Sequence, residues 1–511
     1  MRLRPATAAL RVARIRELEA RAMAELPQGA LMQRAAAAIA VSAGSMLREV
    51  AGRVTGSRVV LLVGTGDNGG DALYAGAHLA RRGARVDALL VADRHHEAGA
   101  AALVRAGGRL HSADDLVAAA ELVGAADLVV DGILGIGGSG ALREPAATLA
   151  AVARETESSV LAVDLPSGVD ADSGAVSDPE RVVTADRTVV LGTLKPGLLV
   201  GAGAERSGDL EVVDLGLDLS SVAATEVVVR IDDESAAAAL DRPAALDDKY
   251  TRGVVGLSTG SSRYPGAAVL STGGARHGVA GYVRYSGPAY QQVVAAWPDT
   301  VSSPDRVALA GRAQCWVVGC GRGTDEQARL AILDAAGLAV PLVLDADALT
   351  LLADDSEVRA AVVSRHAATV LTPHDGEFAR LSGRPVGPDR VAAAREIAAS
   401  LSCVVLLKGS STVVASPTGA AWVSVAAPPD MATAGSGDVL AGLLGSLLAH
   451  HQAVRHVDDD AAGWLAACAA HVHGVAGALA VGGGRPITAS HVVATLPVAI
   501  SRVRGWARTD A

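Results

Sequence analysis

The sequence predicts two tandem α/β domains, and three observations carry that expectation. Short, nearly continuous Val/Leu runs alternate with Ala-rich stretches, the alternation lapses once near the middle, and 511 residues are too many for one core. From about residue 58 the runs are RVVLLVG, VDALLVAD, DLVVDGIL, SVLAVDLP, TVVLG and EVVDLGL. Strands buried on both faces read this way, without polar alternation. Between them AGAHLARRG, AGAAALVRAGG and REPAATLAAVARE suit crossover helices, which gives the βαβ rhythm of a doubly wound, Rossmann-like three-layer sheet. The opening stretch, with Ile15, Leu18 and Met23 and then Leu31 to Val41, is expected to pack on this domain as helices. A charged, strand-poor passage over residues 217–252 places the boundary near 220, giving domains 1–220 and 221–511. The second half has its own runs, GVVGLST, CWVVGCG, LVLDADAL, ATVLTPH, VVLLKGSSTVV and AAWVSVA, with helices dominating after residue 437.

Composition narrows the function classes. Half the residues are hydrophobic and 20% charged, as in ordinary folded proteins. With one Phe, five Trp and six Tyr, the cores must be filled by Ala, Val and Leu. The net charge of −10 lacks the basic footprint of a nucleic-acid binder. Cys315, Cys320, Cys403 and Cys468 contain no C-x-x-C pair, so neither a disulfide framework nor a zinc cluster is expected, and a reducing, cytoplasmic setting is. The N-terminal stretch lacks the apolar core of a signal peptide. The tract VLAGLLGSLLAHH, taken as the most hydrophobic, is short of the ~18 residues of a membrane span, so no membrane partner is expected.

In the first domain the strand RVVLLVG runs into GTGDNGGD. Gly64, Gly66 and Gly69 satisfy G-x-G-x-x-G at a strand-to-helix turn, with Asp87 and Asp93 at the distance of a ribose-binding acid. Alone, this is an NAD-dependent dehydrogenase signal. Asp67 and Asp71 oppose it, because both would face the charge of a pyrophosphate. The plain alternative for Asp71 is a helix-capping acid. Two further loops, Asp131–Ala141 and Asp164–Asp170, follow strands of the same sheet, whose ends converge in open α/β folds. Asn68, Asp131 and Ser167 offer hard oxygen ligands for a monovalent or divalent cation, and Asp164 is a candidate proton-transfer group. Each acid alone is more often a turn former.

Together, DNGGDA, DGILGIGGSGALREP, DLPSGVDADSG and TLKPGLLVG resemble, in order and spacing, the epimerase domain of the bifunctional NAD(P)H-hydrate repair enzymes, over most of residues 10–218. The resemblance implies a potassium ion on Asn68, Asp131 and Ser167. It implies the hydrated nucleotide on Asp67, Asn68, Gly69, Gly70 and Asp71, on Gly135, Ile136, Gly137, Gly138, Ser139, Gly140 and Ala141, and on Asp164, the acid/base. The usual N-N-G-G-D-G is altered at Asp67 and Ala72.

In the second domain Ala434-Gly435-Ser436-Gly437-Asp438 precedes a helical tract. Its glycines let backbone N–H groups converge on a transferring phosphoryl group, and Asp438 is placed to take a proton from a hydroxyl; an N-cap acid is the plain alternative. Lys408, Gly409, Ser410, Ser411 and Thr412 follow a strand with a cation and hydroxyls for phosphate oxygens, in an order that is not a Walker A loop. With Lys249-Tyr250, Arg252-Gly253, GSSRYPGAAVLST, VVGCGRGTDE, LDADALTLL, LTPHDGEFARL and MATAGSGDVLAG, this region is similar to the ADP-dependent NAD(P)H-hydrate dehydratases, which have a ribokinase-like fold, over roughly residues 240–500. By that resemblance Ala267, Gly323, His374 and Asp438 contact the hydrated nucleotide, Lys408 to Thr412 and Gly437 contact ADP, and Mg2+ accompanies it. On its own His374 reads as an exposed loop residue. His471 and His473, two apart on a helix, face different ways and make no metal pair. Departures from the family are Cys320 and Arg322 where Pro and Leu are common, Asp375 after His374, and Ala434 and Ser436 in a turn usually written G-G-T-G-D.

The resemblance implies NADHX and NADPHX as substrates. The first domain would interconvert their R and S epimers, and the second would dehydrate S with ADP, giving AMP and phosphate; a homo-oligomer is expected. The rivals are a ribokinase-like small-molecule kinase with a non-catalytic N-terminal binding domain, and the dehydrogenase.

Overall fold

The apolar runs become parallel strands and the Ala-rich stretches become the helices that cover them. The structure, a computed structural model, describes residues 3–156 and 158–505, and the chain divides into two units after Val227. In the first unit β1 (Ala8–Leu10) bridges to Leu194 and is followed by helices Val12–Glu25 and Ala30–Ala51. Seven strands form an all-parallel sheet: β2 (Arg58–Val63), β3 (Arg85–Leu90), β4 (Arg109–Ser112), β5 (Leu128–Gly132), β6 (Ser159–Val163), β7 (Arg187–Leu191) and β8 (Asp209–Val213). Both faces of β2 are buried. Val59, Leu61 and Val63 join a core with Ile39, Leu73 and Leu79, whereas Val60 and Leu62 join one with Val123 and Leu149. The order β4-β3-β2-β5-β6-β7-β8 reverses direction between β2 and β5, which opens a crevice at their carboxyl ends.

The expected packing positions need correction at two residues. Ile15 and Leu18 are buried as expected, but Met23 and Val41 are exposed, since each faces away from the side of its helix that packs. Edge strand β4, Arg-Leu-His-Ser, carries no apolar run of its own, whereas the helix Leu116–Gly124 is largely apolar. At β4 the pairing is polar instead: Arg109 and His111 both reach Asp87.

The second unit is built on the strand order β9-β18-β17-β16-β15-β14-β13-β10-β11-β12. These are β9 (Val227–Arg230), β10 (Val254–Ser258), β11 (Tyr282–Ser286), β12 (Val301–Ser303), β13 (Cys315–Val318), β14 (Leu342–Leu344), β15 (Thr369–Leu371), β16 (Val404–Leu407), β17 (Thr412–Ala415) and β18 (Ala421–Ser424). From β12 to β16 all pairs are parallel; β16, β17 and β18 form an antiparallel meander, and β9 joins β18 in parallel. The passage expected to be strand-poor thus contains β9, a Val-Val-Val run hidden between charged segments. Strand order reverses at β10, which neighbours both β11 and β13.

Helices Ser436–Val454 and Asp459–Val481 pack on this sheet. Contrary to the sequence reading, Asp459–Val481 and Ala30–Ala51 are long and apolar enough to cross a membrane, with hydropathies of 1.5 and 1.3. In Asp459–Val481 the apolarity has a use inside the fold, because 72% of that stretch is buried in the protein. The helix Pro265–Arg276 crosses Ser436–Val454 at two glycines: a Cβ on Gly442 would overlap the Ser271 carbonyl, and one on Gly274 the Val439 carbonyl. Backbones meet here, so no side chain can give way. Gly442→Ala is expected to destabilise the second unit by about 1–3 kcal/mol, read as a lower urea midpoint; an unchanged midpoint would show that the helices can separate freely.

Candidate active sites

At the β2/β5 reversal a cavity of about 770 Å3 opens, lined by Asp67, Asn68, Asp71, the loop Gly135–Gly138 and Asp164, with Arg16 and Glu19 from the helix Val12–Glu25. The helix Asp67–Arg81 starts immediately after Gly66, so the turn after β2 delivers three acid or amide side chains to the wall. Gly69 and Gly70 are packing positions rather than wall: a Cβ would meet the Gly64 carbonyl at the first and His96 and Met32 at the second. Ser139, Gly140 and Ala141 continue the loop beyond the lining residues.

Asn68, Asp131 and Ser167 converge on one spot. Ser167 donates from Oγ (2.7 Å) and from its backbone N–H (2.8 Å) to the Asp131 carboxylate, and the Ile133 N–H adds a third bond. Asn68 Nδ2 donates to the Leu134 carbonyl, and the Leu134 N–H donates to Ser167 Oγ. Asp131 is fully buried, and burial pushes it up to about 6 against those hydrogen bonds. No Lys or Arg pairs with it among the described residues, so these hard oxygens fit a monovalent cation that supplies the missing positive charge.

Asp164 directly follows β6 and sits at φ 69°, a left-handed conformation costing a residue with a Cβ about 1–2 kcal/mol. Its carboxylate accepts the Leu191 N–H and forms an ion pair with Lys195, whose ammonium also donates to the Leu191 carbonyl (3.0 Å). Lys195 is 1% exposed. The carboxyl that burial pushes up, to about 8, is Asp71, with Asp164, Asp67 and Glu19 adding repulsion. Glu19 is raised too, by burial and then by Asp164. Asp87 is held by Arg109 and His111, and Asp93 is exposed, so neither is a ribose acid here; the dehydrogenase reading loses its support.

The second site gathers at the ends of neighbouring parallel strands. Asp345, Thr372 and Lys408 are each the first residue after β14, β15 and β16, and Cys320 is the second after β13. Parallel register brings these ends side by side. Asp345, 2% exposed, takes bonds from Lys408 Nζ (2.7 Å), Thr372 Oγ1 (2.7 Å) and the Cys320 thiol (3.4 Å). Burial works to raise Asp345, but Lys408 and the hydrogen bonds outweigh it and hold the carboxyl below its ordinary value. Burial, with the two nearby carboxylates, keeps Cys320 a thiol. Above them stands Asp438, in the first turn of the helix Ser436–Val454, pushed up to about 7 by burial and by Asp345, with Lys408 opposing. The left-handed residue of the turn is Gly435 (φ 88°), so the non-glycine Ala434 costs it nothing. A Cβ on Gly437 would lie 3.4 Å from Lys408 Nζ, so the helix start and the lysine share one space.

Other expected positions are more peripheral. Gly409 and Ser410 are exposed at the β16–β17 turn, whereas Ser411 and Thr412 are buried. His374 is exposed and caps the helix Asp375–Ser382, its Nδ1 accepting from the Gly376 and Glu377 N–H groups and its Nε2 lying 3.6 Å from Glu377 Oε1. Ala267 and Gly323 are half-buried; the Gly323 N–H donates to Asp347 Oδ2 (2.7 Å). His473 is neutral, lowered to about 4 by burial, and lies 3.4 Å from Ser436 Oγ; His471 turns to Asp233. Sequence reasoning missed Lys195, Asp345 and Glu19. The first two had a signal, a charge inside TLKPGLLVG and one directly after a strand in LDADAL; Glu19 in its helix had none.

Family models match both units: one described as YjeF-related protein N-terminus over residues 28–197, and one described as NAD(P)H-hydrate dehydratase over residues 255–497. The bifunctional NAD(P)H-hydrate repair enzyme Nnr of Mycobacterium tuberculosis (strain ATCC 25618 / H37Rv) is 48% identical over 436 residues, 85% of this chain and 88% of that one. Its counterpart in Corynebacterium glutamicum is 33% identical over 557 residues, covering 93% and 94%. The crystal structure of ADP/ATP-dependent NAD(P)H-hydrate dehydratase from Bacillus subtilis, co-crystallized with ATP/Mg2+, is 27% identical, covers 53% of this chain and 97% of that chain, and gives a TM-score of 0.46. With identity extending across both units, the chain belongs to the family of bifunctional NAD(P)H-hydrate repair enzymes.

Proposed function

We propose that the first unit interconverts the R and S epimers of hydrated NADH and NADPH, and that the second restores the S epimer to NAD(P)H at the expense of ADP. The observation that carries this reading is the pairing of two carboxyl sites in one chain of this family, each with a buried aspartate held by a lysine at strand ends.

In the second unit, Asp438 takes the proton of the ring hydroxyl as its oxygen attacks the terminal phosphorus of ADP. The N–H groups at the start of the helix Ser436–Val454 face the charge that develops. Phosphate then leaves with the electrons of the C–O bond, and loss of a proton from the adjacent ring carbon restores the dihydropyridine, leaving AMP and phosphate. A hydroxyl leaves poorly and a phosphate well, which gives a kinase-like site its place in a dehydration. Lys408, fixed by Asp345 beside Gly437, is the cation for the nucleotide phosphates.

The trio Cys320, Asp345 and Asp438 does not suit magnesium, since Lys408 already neutralises Asp345 and a thiol is a soft ligand. Magnesium is left to the nucleotide phosphates and water. Potassium is assigned to Asn68, Asp131 and Ser167, where it would keep the buried Asp131 ionised and hold the loop after β5 against the helix Asp67–Arg81. Arg16, the one Lys or Arg among the residues lining the first cavity, lies beside Gly137 and suits the dinucleotide pyrophosphate.

Asp438→Asn is expected to abolish ADP-dependent phosphate release and recovery of the reduced cofactor's near-ultraviolet absorbance, while epimer interconversion continues. A stable phosphorylated product from the native enzyme would favour the kinase instead. Because the base must be ionised, dehydratase kcat/KM should rise with pH through about 7. Lys408→Met removes the charge that favours ionisation and should move that rise to higher pH; a rise that stays in place would contradict the arrangement. Asp164→Asn should slow consumption of R and leave S dehydration intact. Lys195→Met strands Asp164 as an uncompensated buried carboxylate, at a cost of about 3–5 kcal/mol, measurable by denaturant melting of the first unit.

A further inference from the structure

Asp71 occupies a position that charge balance makes unusual. It is 7% exposed, lines the first cavity, and its Oδ1 is buried with no hydrogen-bond partner. A buried carboxylate oxygen without a donor carries the full desolvation penalty, whereas a carboxylic acid with its O–H aimed at a ligand does not. The groups that act on it are all anionic: Asp164 beyond β6, Asp67 on its own helix, and Glu19 from the helix Val12–Glu25. Lys195 spends its charge on Asp164, and Asp131 of β5 is bound to Ser167 and Ile133. Of the neighbouring helices, Val12–Glu25 brings one cation to the cavity, Arg16, which acts on Glu19, and His96, ahead of Glu97–Arg105, accepts from the Gly99 N–H.

Resting on the epimerase reading, we propose that Asp71 is the proton donor of the epimerisation, held as a neutral acid in the resting enzyme and paired with the lysine-bound Asp164. In the hydrated ring the hydroxyl-bearing carbon is bonded to the ring nitrogen. Asp71 gives its proton to the hydroxyl oxygen, the nitrogen lone pair moves into the C–N bond, and the C–O bond breaks with its electrons on oxygen. Water departs, leaving a planar iminium cation. The carboxylates of Asp71, Asp164, Asp67 and Glu19 surround that cation, which accounts for a cavity with one arginine and four acids on its wall. Water adds back to either face of the carbon, the nitrogen regains its lone pair, and the proton lost passes to an ionised carboxylate of the site. Addition to the opposite face inverts the centre, and no proton or electron is gained or lost overall.

The full chain is assayed without ADP, so that the dehydratase is silent, starting from one purified epimer. In heavy-oxygen water the native enzyme should label the ring hydroxyl in step with epimerisation, and kcat should fall above pH about 8, as Asp71 loses its proton. Asp71→Asn keeps the shape but has no proton to give. It should lower kcat on the order of 10²-fold or more with KM little changed, lose the alkaline limb, and retain ADP-dependent turnover of S.

A stability readout separates this role from packing. A carboxyl whose folded-state value lies above its unfolded 3.8 favours the fold only while protonated, so stability is lost as pH rises from there towards about 8. Asn escapes that loss, so Asp71→Asn should melt higher than the native chain at neutral pH, the gap closing below pH about 4. Unlabelled product, a native profile without the alkaline limb, or native kcat in Asp71→Asn would each overturn the proposal. Label exchange and the native profile decide the matter even if the variant does not fold. A native chain that interconverts no epimers would instead overturn the epimerase reading itself.

Discussion

In each unit a buried aspartate is paired with a lysine at the carboxyl ends of parallel strands: Asp164 with Lys195 and Asp345 with Lys408. Taking two charges out of water costs several kcal/mol per ion, and Coulomb attraction repays this only where geometry is good and other hydrogen bonds complete the shell. Both pairs meet that condition. Asp164 and Lys195 share the backbone of Leu191, and Asp345 is completed by Thr372 and Cys320. Each pair also lies beside a strained residue, Asp164 itself and Ala346, the residue after Asp345. Strain of this kind persists where surrounding structure over-determines the backbone.

One lysine cannot balance all the carboxyls gathered around it. In the first site Asp164 takes the ammonium, leaving Asp71 and Glu19 each to be raised by burial and then by Asp164. In the second, Asp345 takes it, and Asp438 rises to about 7. The same shortage of positive charge therefore gives each site a fixed anion and a carboxyl that can change its proton near neutral pH. That is the pairing acid–base chemistry needs, and enzymes reach it by setting neighbouring environments apart. The sites divide the chemistry by what else they hold. The second adds the N–H groups of a helix start, which in the proposed reaction face phosphate, whereas the first adds a wall of acids, which in the proposed reaction face a cation.

The first site lies where strand order reverses and the second at the ends of the parallel strands that run on from such a reversal, and this is why loops distant in sequence meet. In the first unit β2 and β5 diverge, so the loops after them leave a cavity. In the second, β10 is the pivot and the ends of β13 to β16 form the floor on which the helix start at Ser436 is set. The glycine crossing at Gly274 and Gly442 sets the depth of that helix, because backbone touches backbone there.

The sequence by itself determined much of this. The Val/Leu runs gave the central strands, because a strand covered on both faces must be apolar throughout; the turns at 66–71, 131–138 and 434–438 were legible from glycine and acid spacing. Edge strands β4 and β12, and β11 beside β12, escaped notice because they are half-covered or short, and β9 because charged neighbours masked it. What only the tertiary structure decided was charge state. Nothing local to Asp71, Asp164, Asp345 or Asp438 says which will keep a lysine and which a proton. That depends on burial and on partners 31 residues away for Asp164 and 63 for Asp345, and such partners are assigned only when the strands line up side by side.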